Sequence, residues 1–298
     1  MNRIRKCVIP VAGYGTRMYP ASKAIKKEFF PVVDAAGRAR PIIQTIVEEA
    51  VSSGIEQVCL ITQPGDDEVF RAYFSADLPA SWRGKLQLRD WAKEETERLA
   101  ELGRRMSYVE QTAQEGFGHA VYSAREWVGG EPFLLMLGDH IYASSTPQRC
   151  ATQLLDAHAE LGGTVLAVER LGEDQLPLCG TVRGEALTTP AGAYRVTEFA
   201  EKPAVDYARR NLRTPGLGDA EYLCVFGQYA IDPAVFDVLR HMIERDIREA
   251  GEIQFTGALE ALRIQGVGSF ALETKGRRRD TGVPMEYART IHALAFSN

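Results

Sequence analysis

The sequence predicts an α/β fold, a mixed but mostly parallel sheet flanked by helices, with a smaller β region in its C-terminal part. Three observations carry this. Short, wholly apolar strand segments alternate with amphipathic helical stretches. A glycine-rich turn directly follows the first of those strands. From about Leu171 the texture shifts to alternating strands broken by turn residues. Strands without polar alternation are buried on both faces, as in a parallel sheet covered by helices.

The first strand candidate is Lys6–Val11. Pro41–Gly54 then sets Ile43, Ile46, Val47, Ala50 and Val51 at helical spacing, with Gly54 as a C-terminal stop. Further core strands are expected at Gln57–Thr62, Phe133–Leu137 and Thr164–Glu169. Helix-favouring Asp67–Phe74 and Trp91–Arg104 flank a poorly patterned, tryptophan-containing segment near Ser81–Arg89. Helices also fit His119–Trp127 and Pro147–Leu161.

Beyond Leu171, Cys179–Arg183, Ala193–Phe199 and Tyr222–Ala230 read as strands of a smaller, mixed or antiparallel region. Asn211–Asp219, with Pro215, Gly216 and Gly218, reads as a flexible loop. Helices return at Pro233–Arg248 and Phe255–Arg263, followed by a strand at Gly268–Leu272. No internal repeat is visible. The expected organisation is one Rossmann-like domain over residues 1–298, with a core over 1–170 elaborated by a smaller portion over 171–298.

Composition excludes several classes. An apolar fraction of 45% and a charged fraction of 25% are those of an ordinary soluble globular protein. The net charge of −5 argues against bulk nucleic-acid binding. The basic run Lys275-Gly-Arg-Arg-Arg279 reads as a solvated face. Cys7, Cys59, Cys150, Cys179 and Cys224 show no Cys-x-x-Cys spacing and sit in strand-like surroundings, which suggests reduced core thiols and a cytoplasmic protein. No stretch is long and apolar enough to span a membrane. The basic start Met1–Lys6 is followed by an apolar run broken at Pro10 and Gly13, which is not the pattern of a signal peptide.

The chemistry is expected in the turn Gly13-Tyr-Gly-Thr-Arg17 and the lysines after it. Glycines let a backbone approach a phosphate closely, their N–H groups cradle its oxygens, and Arg17 and Lys27 add charge. A Walker A loop needs four residues between its glycines and then Lys-Ser/Thr. A dinucleotide fingerprint needs a third glycine where Arg17-Met18 stand. Neither fits, which also removes a nicotinamide-dependent dehydrogenase. A second feature is Gly138-Asp139-His140, immediately after an apolar strand, where open α/β sheets bind ligands. Asp280-Thr-Gly282 sets another aspartate before a turn. One or two carboxylates beside substrate phosphates are a common way to hold Mg²⁺.

Gly13-Tyr-Gly-Thr-Arg17 with Lys27-x-x-x-Pro31 resembles the sugar-1-phosphate nucleotidyltransferases, and among them the bacterial UTP–glucose-1-phosphate uridylyltransferases. Pro41–Ala50, Gly116-Phe-Gly-His-Ala-Val121, Leu137-Gly-Asp139, Glu201-Lys-Pro203 and Gly251-Glu-Ile-Gln254 follow in the family's order. The resemblance implies that a sugar 1-phosphate oxygen attacks the α-phosphorus of a nucleoside triphosphate and pyrophosphate leaves. It implies Arg17, Lys27, Asp139, Lys202 and Asp280 as the catalytic set, with Mg²⁺ on Asp139 and Asp280. Ala12, Gly13, Gly15, Thr16, Gln111 and Gly116 would hold the nucleotide. His140, Gly180, Glu201 and Lys202 would face the sugar phosphate. Residues 1–170 then form the nucleotide-binding core and 171–298 the sugar-phosphate portion. His119 reads as a helix-start or core histidine, and the other histidines show no metal spacing.

Four positions depart from the closest subfamily: Lys26 before Lys27, Leu178-Cys-Gly-Thr181, Gly257 after Phe255-Thr256, and the long Asn211–Asp219 loop. They lie mainly on the sugar side. UTP and glucose 1-phosphate are the expected substrates, with GTP or dTTP, or a modified-sugar or cyclitol phosphate, as alternatives. A non-catalytic nucleotide-sugar-binding regulator is the rival of another class. The family's habit implies a homodimer or homotetramer, with no nucleic-acid or membrane partner.

Overall fold

The computed structural model describes residues 3–34, 36–78, 81, 82 and 89–296; most of the expected unpatterned segment near Ser81–Arg89 lies outside them. Thirteen strands are present among the described residues: β1 (Lys6–Pro10), β2 (Pro31–Val33), β3 (Ala39–Pro41), β4 (Gln57–Thr62), β5 (Met106–Glu110), β6 (Phe133–Met136), β7 (His140–Ser144), β8 (Thr164–Gly172), β9 (Thr181–Ala186), β10 (Ala193–Ala200), β11 (Glu221–Ile231), β12 (Ser269–Glu273) and β13 (Gly276–Asp280). Nine of them form one sheet in the order β5-β4-β1-β6-β11-β8-β12-β10-β9. β5, β4, β1 and β6 are mutually parallel, and β11 then joins antiparallel to both β6 and β8.

Why β1 sits in the middle follows from its side chains. Cys7 and Ile9 point to one face, where Ile43, Ile46 and Val47 of the helix Ile42–Ser52 cover them. Val8 points to the other face, against Val121 of the helix Phe117–Ser123 and Leu135 of β6. The strand period of two thus feeds two separate apolar clusters. Full burial of each large aliphatic side chain contributes roughly 1.5–3 kcal/mol.

The expected mixed, helix-covered sheet is what forms, but its strand pairings are four parallel and five antiparallel rather than mostly parallel. There are three further differences in detail. β11 does not belong to a peripheral region. It is buried along nearly its whole length and lies inside the main sheet, because Tyr222–Ile231 is apolar on both faces. The predicted helix His119–Trp127 is two shorter ones, Phe117–Ser123 and Arg125–Val128, separated at Ala124. The Asn211–Asp219 loop is pinned where Thr214, buried, accepts the Gly184 N–H at 3.0 Å. The strand β5 and the two-stranded pairs β2–β3 and β7–β13 carry too little apolar pattern to be read from sequence.

Candidate active site

The site lies at the carboxyl ends of β1 and β6. Because these strands are adjacent and parallel, the turn Ala12–Gly15 and the pair Gly138-Asp139 emerge side by side. Contact is close there: a Cβ on Gly138 would lie 2.5 Å from the Pro10 carbonyl. The turn is anchored by the Val11 N–H to Ile61 O at 2.8 Å and by Gln63 Nε2 to Ala12 O at 2.8 Å. Gly15 has φ of 65°, a left-handed conformation that glycine adopts without strain. It turns the chain into the short 3₁₀ turn Thr16–Met18 and leaves Arg17 exposed.

Pairing of β7 with β13 brings the second aspartate in. Their register sets His140 opposite Asp280, so Asp139 stands next to that pair. Thr281 fixes the approach, donating both its N–H (2.8 Å) and its hydroxyl (2.6 Å) to the Asp139 carbonyl. One oxygen of each carboxylate is held: Asp139 Oδ2 by Lys27 Nζ at 2.6 Å, and Asp280 Oδ1 by the Gly282 N–H at 2.8 Å. The other two, Asp139 Oδ1 and Asp280 Oδ2, each lie 3.8 Å from His140 Nε2. The three residues offer ligand atoms that all fall within 4.8 Å of one another. Asp139 and Asp280 line one cavity with Arg17, and Lys27 lines the adjoining one with Asp139, so two carboxylates beside cationic side chains fit a divalent cation bound beside phosphate.

The charges are mutually adjusted. Burial works against the Lys27 ammonium, but the carboxylates of Asp139, Glu28 and Asp280 outweigh it and raise its pKa. Asp139 is held below the usual carboxylate range, since Lys27 and His140 overcome the cost of burial. Asp280 is likewise depressed, burial being offset by His140, the Gly282 N–H and Arg278. Glu28 goes the other way. Burial pushes its carboxyl up to about 7, against the pull of Lys27. Neither of its oxygens has a hydrogen-bond partner.

Two cavities meet at Asp139. The first, about 490 Å³, is lined by Ala12, Gly13, Thr16, Arg17, Lys27, Gln111, Gly116 and Asp139 among others. Gly15 shapes the turn without lining it. Buried Gln111 directs Nε2 toward the Gly116 carbonyl and His119 Nδ1, both at 3.3 Å. His119 therefore sits in a helix against Gln111, away from the acidic cluster. The second cavity, about 310 Å³, is lined by Asp139, His140, Gly180, Glu201, Lys202 and Asp280, and shares Arg17 with the first. Glu201 accepts the Thr256 hydroxyl at 2.6 Å, and its other oxygen lies 3.5 Å from Lys202 Nζ. Lys202 adopts φ of 42°, a left-handed backbone that is unusual for a residue with a side chain. Every residue expected in the site is thus at one of the two cavities or, for Gly15, at the turn that forms the first.

Sequence reasoning missed three residues and gave a fourth, His140, only part of its surroundings. Glu28 lines the first cavity, and Glu252 lines both. Arg278 lines the second cavity and donates to the Val225 carbonyl at 3.2 Å. It belongs to the run read as a solvated basic face. The run is instead a strand, so alternate residues face opposite ways: Arg277 is exposed while Arg278 turns inward. His140, expected only beside the sugar and without metal spacing, stands in the acidic cluster. No sequence signal reveals this, because the pairing that makes it joins distant segments.

A Gly-rich phosphate-type loop, a cluster of two aspartates and a histidine, and two adjoining polar cavities at the carboxyl ends of parallel strands define a phosphoryl-handling α/β enzyme. The family model for nucleotidyl transferases matches residues 6–294, and the chain belongs to that family. It is similar over its whole length to UTP–glucose-1-phosphate uridylyltransferase 2 of Staphylococcus saprophyticus, at 35% identity covering 94% of that relative. The corresponding enzyme of Bacillus subtilis is 33% identical, with 100% of this chain and 93% of the relative covered. Among solved structures, a UDP-glucose pyrophosphorylase complexed with UDP-glucose superposes with a TM-score of 0.78 at 27% identity, covering 99% of this chain and 100% of the other. A UTP-bound enzyme of the same kind from Acinetobacter baumannii gives 0.78 at 26% identity, with 99% and 94% covered.

Proposed function

We propose that this nucleotidyltransferase uses UTP and glucose 1-phosphate to make UDP-glucose and pyrophosphate, with Mg²⁺ as its cation. The observation that carries the reading is the meeting of two polar cavities at Asp139, one beside the glycine-rich loop and one beside Lys202. In-line transfer needs two anionic substrates brought end to end, and that arrangement suits them. The full-length likeness to uridylyltransferases supports the particular pair of substrates.

In this reading a glucose 1-phosphate oxygen forms a bond to the α-phosphorus of UTP, and the bond from that phosphorus to the β-bridging oxygen breaks. The attacking oxygen is already ionised, so little proton transfer is needed, and catalysis is mainly alignment and charge neutralisation. Arg17 holds the β- and γ-phosphates that leave. Lys27 turns from Asp139 toward the α-phosphate. Lys202 holds the attacking phosphate, while Glu201 accepts sugar hydroxyls and His140 and Gly180 wall the sugar. The Gly13–Thr16 backbone cradles the triphosphate, and Ala12, Gln111 and Gly116 surround the base. Asp139 and Asp280 would hold Mg²⁺, which when bound would supply positive charge beside the phosphates. The reading includes a nucleotide-binding core over 1–170, a sugar-phosphate portion over 171–298, and a cytoplasmic homodimer or homotetramer.

A matrix of nucleoside triphosphates against sugar and cyclitol phosphates, scored by pyrophosphate release with and without Mg²⁺, tests this. Turnover with UTP and glucose 1-phosphate above all other pairs is expected. Preference for GTP would refute the base. UTP turnover with another acceptor would leave the transferase and replace the sugar, in keeping with Leu178 and Cys179 on the second cavity; Gly257 lies instead on a separate cavity beside Met242 and Glu249.

A further inference from the structure

We propose that His140 is a third metal ligand, and that its nitrogen shifts the cation preference of the site toward Mn²⁺ and Co²⁺ relative to Mg²⁺. The proposal rests on the assignment of Asp139 and Asp280 as metal-holding residues.

The imidazole is placed for this by the backbone around it. β11 breaks register between Val225 and Tyr229, and Gly227 in that break has φ of 95°. A Cβ on Gly227 would lie 2.6 Å from His140 Nδ1, so the glycine is what leaves room for the ring. Tyr142, also on β7, donates its hydroxyl to the Gly227 carbonyl at 2.7 Å and closes the same wall. Nδ1 is buried with no hydrogen-bond partner. The ring's polar outlet is therefore Nε2, which faces the cavity and stands 3.8 Å from Asp139 Oδ1 and from Asp280 Oδ2.

The division of carboxylate oxygens points the same way. Lys27 takes Asp139 Oδ2 and the Gly282 N–H takes Asp280 Oδ1. The two oxygens left over are the ones that face Nε2. Three donors, O, O and N, thus converge, the imidazole walled by Gly227 and Tyr142 and each carboxylate held through its other oxygen. Carboxylate oxygens suit Mg²⁺ and Mn²⁺ alike, whereas imidazole nitrogen favours transition metals. A purely oxygen-lined cluster would carry no such bias.

The direct readout is pulsed electron paramagnetic resonance of the full-length enzyme loaded with Mn²⁺ and UTP. A ¹⁴N modulation of imidazole type is expected in the wild-type protein, lost in His140→Asn. By calorimetry His140→Asn should weaken Mn²⁺ and Co²⁺ binding at least ~10-fold while changing Mg²⁺ binding less than ~3-fold. Mn²⁺ bound without nitrogen coupling, and released in Asp139→Asn, would overturn the third ligand and leave the two aspartates standing. The imidazole would then be a counter-ion only. Nitrogen coupling that persists in Asp139→Asn would place its source elsewhere and also overturn the proposal. Failure of the wild-type enzyme to bind Mn²⁺ with UTP would overturn both this inference and the metal assignment beneath it.

Discussion

Lys27 and Asp139 share an ion pair of 2.6 Å across 112 residues of sequence, at the junction of the two cavities. It ties the stretch after the glycine-rich loop to the turn after β6. Each partner favours the other's charged form, raising the pKa of Lys27 and lowering that of Asp139. In the proposed reaction both groups would be released to substrates.

Asp139→Asn removes one carboxylate charge with almost no change in volume. Turnover should fall by about 10²–10³-fold, the size of effect seen when one preorganised electrostatic group is removed. Circular dichroism should show a folded protein. Near-normal pyrophosphate release from that folded variant would end the metal assignment of Asp139.

Arg17 and Lys202 should separate the two substrates. Arg17→Ala should raise the KM for UTP, and Lys202→Ala the KM for the sugar phosphate. Each loss of a charge-assisted contact should cost about 1.5–3 kcal/mol, a ten- to hundred-fold effect. Both variants weakening the same substrate would show that the phosphates are assigned to the wrong cavities.

Glu28 gives a prediction in pH. Its carboxyl is raised from 4.5 to about 7 in the native state. Between those values the folded protein binds a proton that the unfolded chain has lost, so this group makes stability fall as pH rises. Glu28→Gln should match the wild type near pH 4 and exceed it above pH 7, by up to about 3 kcal/mol. Urea denaturation at several pH values checks this, and equal pH slopes for the two proteins would contradict it.

Gly282 tests how tightly the cluster is built. A Cβ there would lie 2.7 Å from Asp139 Oδ2 and 3.1 Å from Asp280 Oδ1. Both carboxylates are anchored, so Gly282→Ala should push them apart. Cation affinity should drop about tenfold or more, while the melting temperature moves little. Unchanged Mn²⁺ affinity by calorimetry would show that the carboxylates can give way.

Local patterns determined much of this protein. Apolar runs such as Cys7–Ile9 and Phe133–Met136 announce buried strands, because burial on both faces leaves no polar alternation. The glycine-rich turn, Lys27 and Asp139 stand out by local pattern, whereas Gln111, Glu201 and Lys202 join them only through the resemblance to a known family's motifs. What only the tertiary structure decided is how distant segments register against each other. β7 and β13 are short, and β13, Gly276–Asp280, is almost wholly charged, so no apolar period marks it as a strand. Their pairing alone sets Asp280 opposite His140, turns Arg278 into the second cavity, and makes a histidine with no metal spacing the neighbour of two aspartates. A register of this kind depends on the surfaces the rest of the fold presents, and those exist only once the chain has closed on itself.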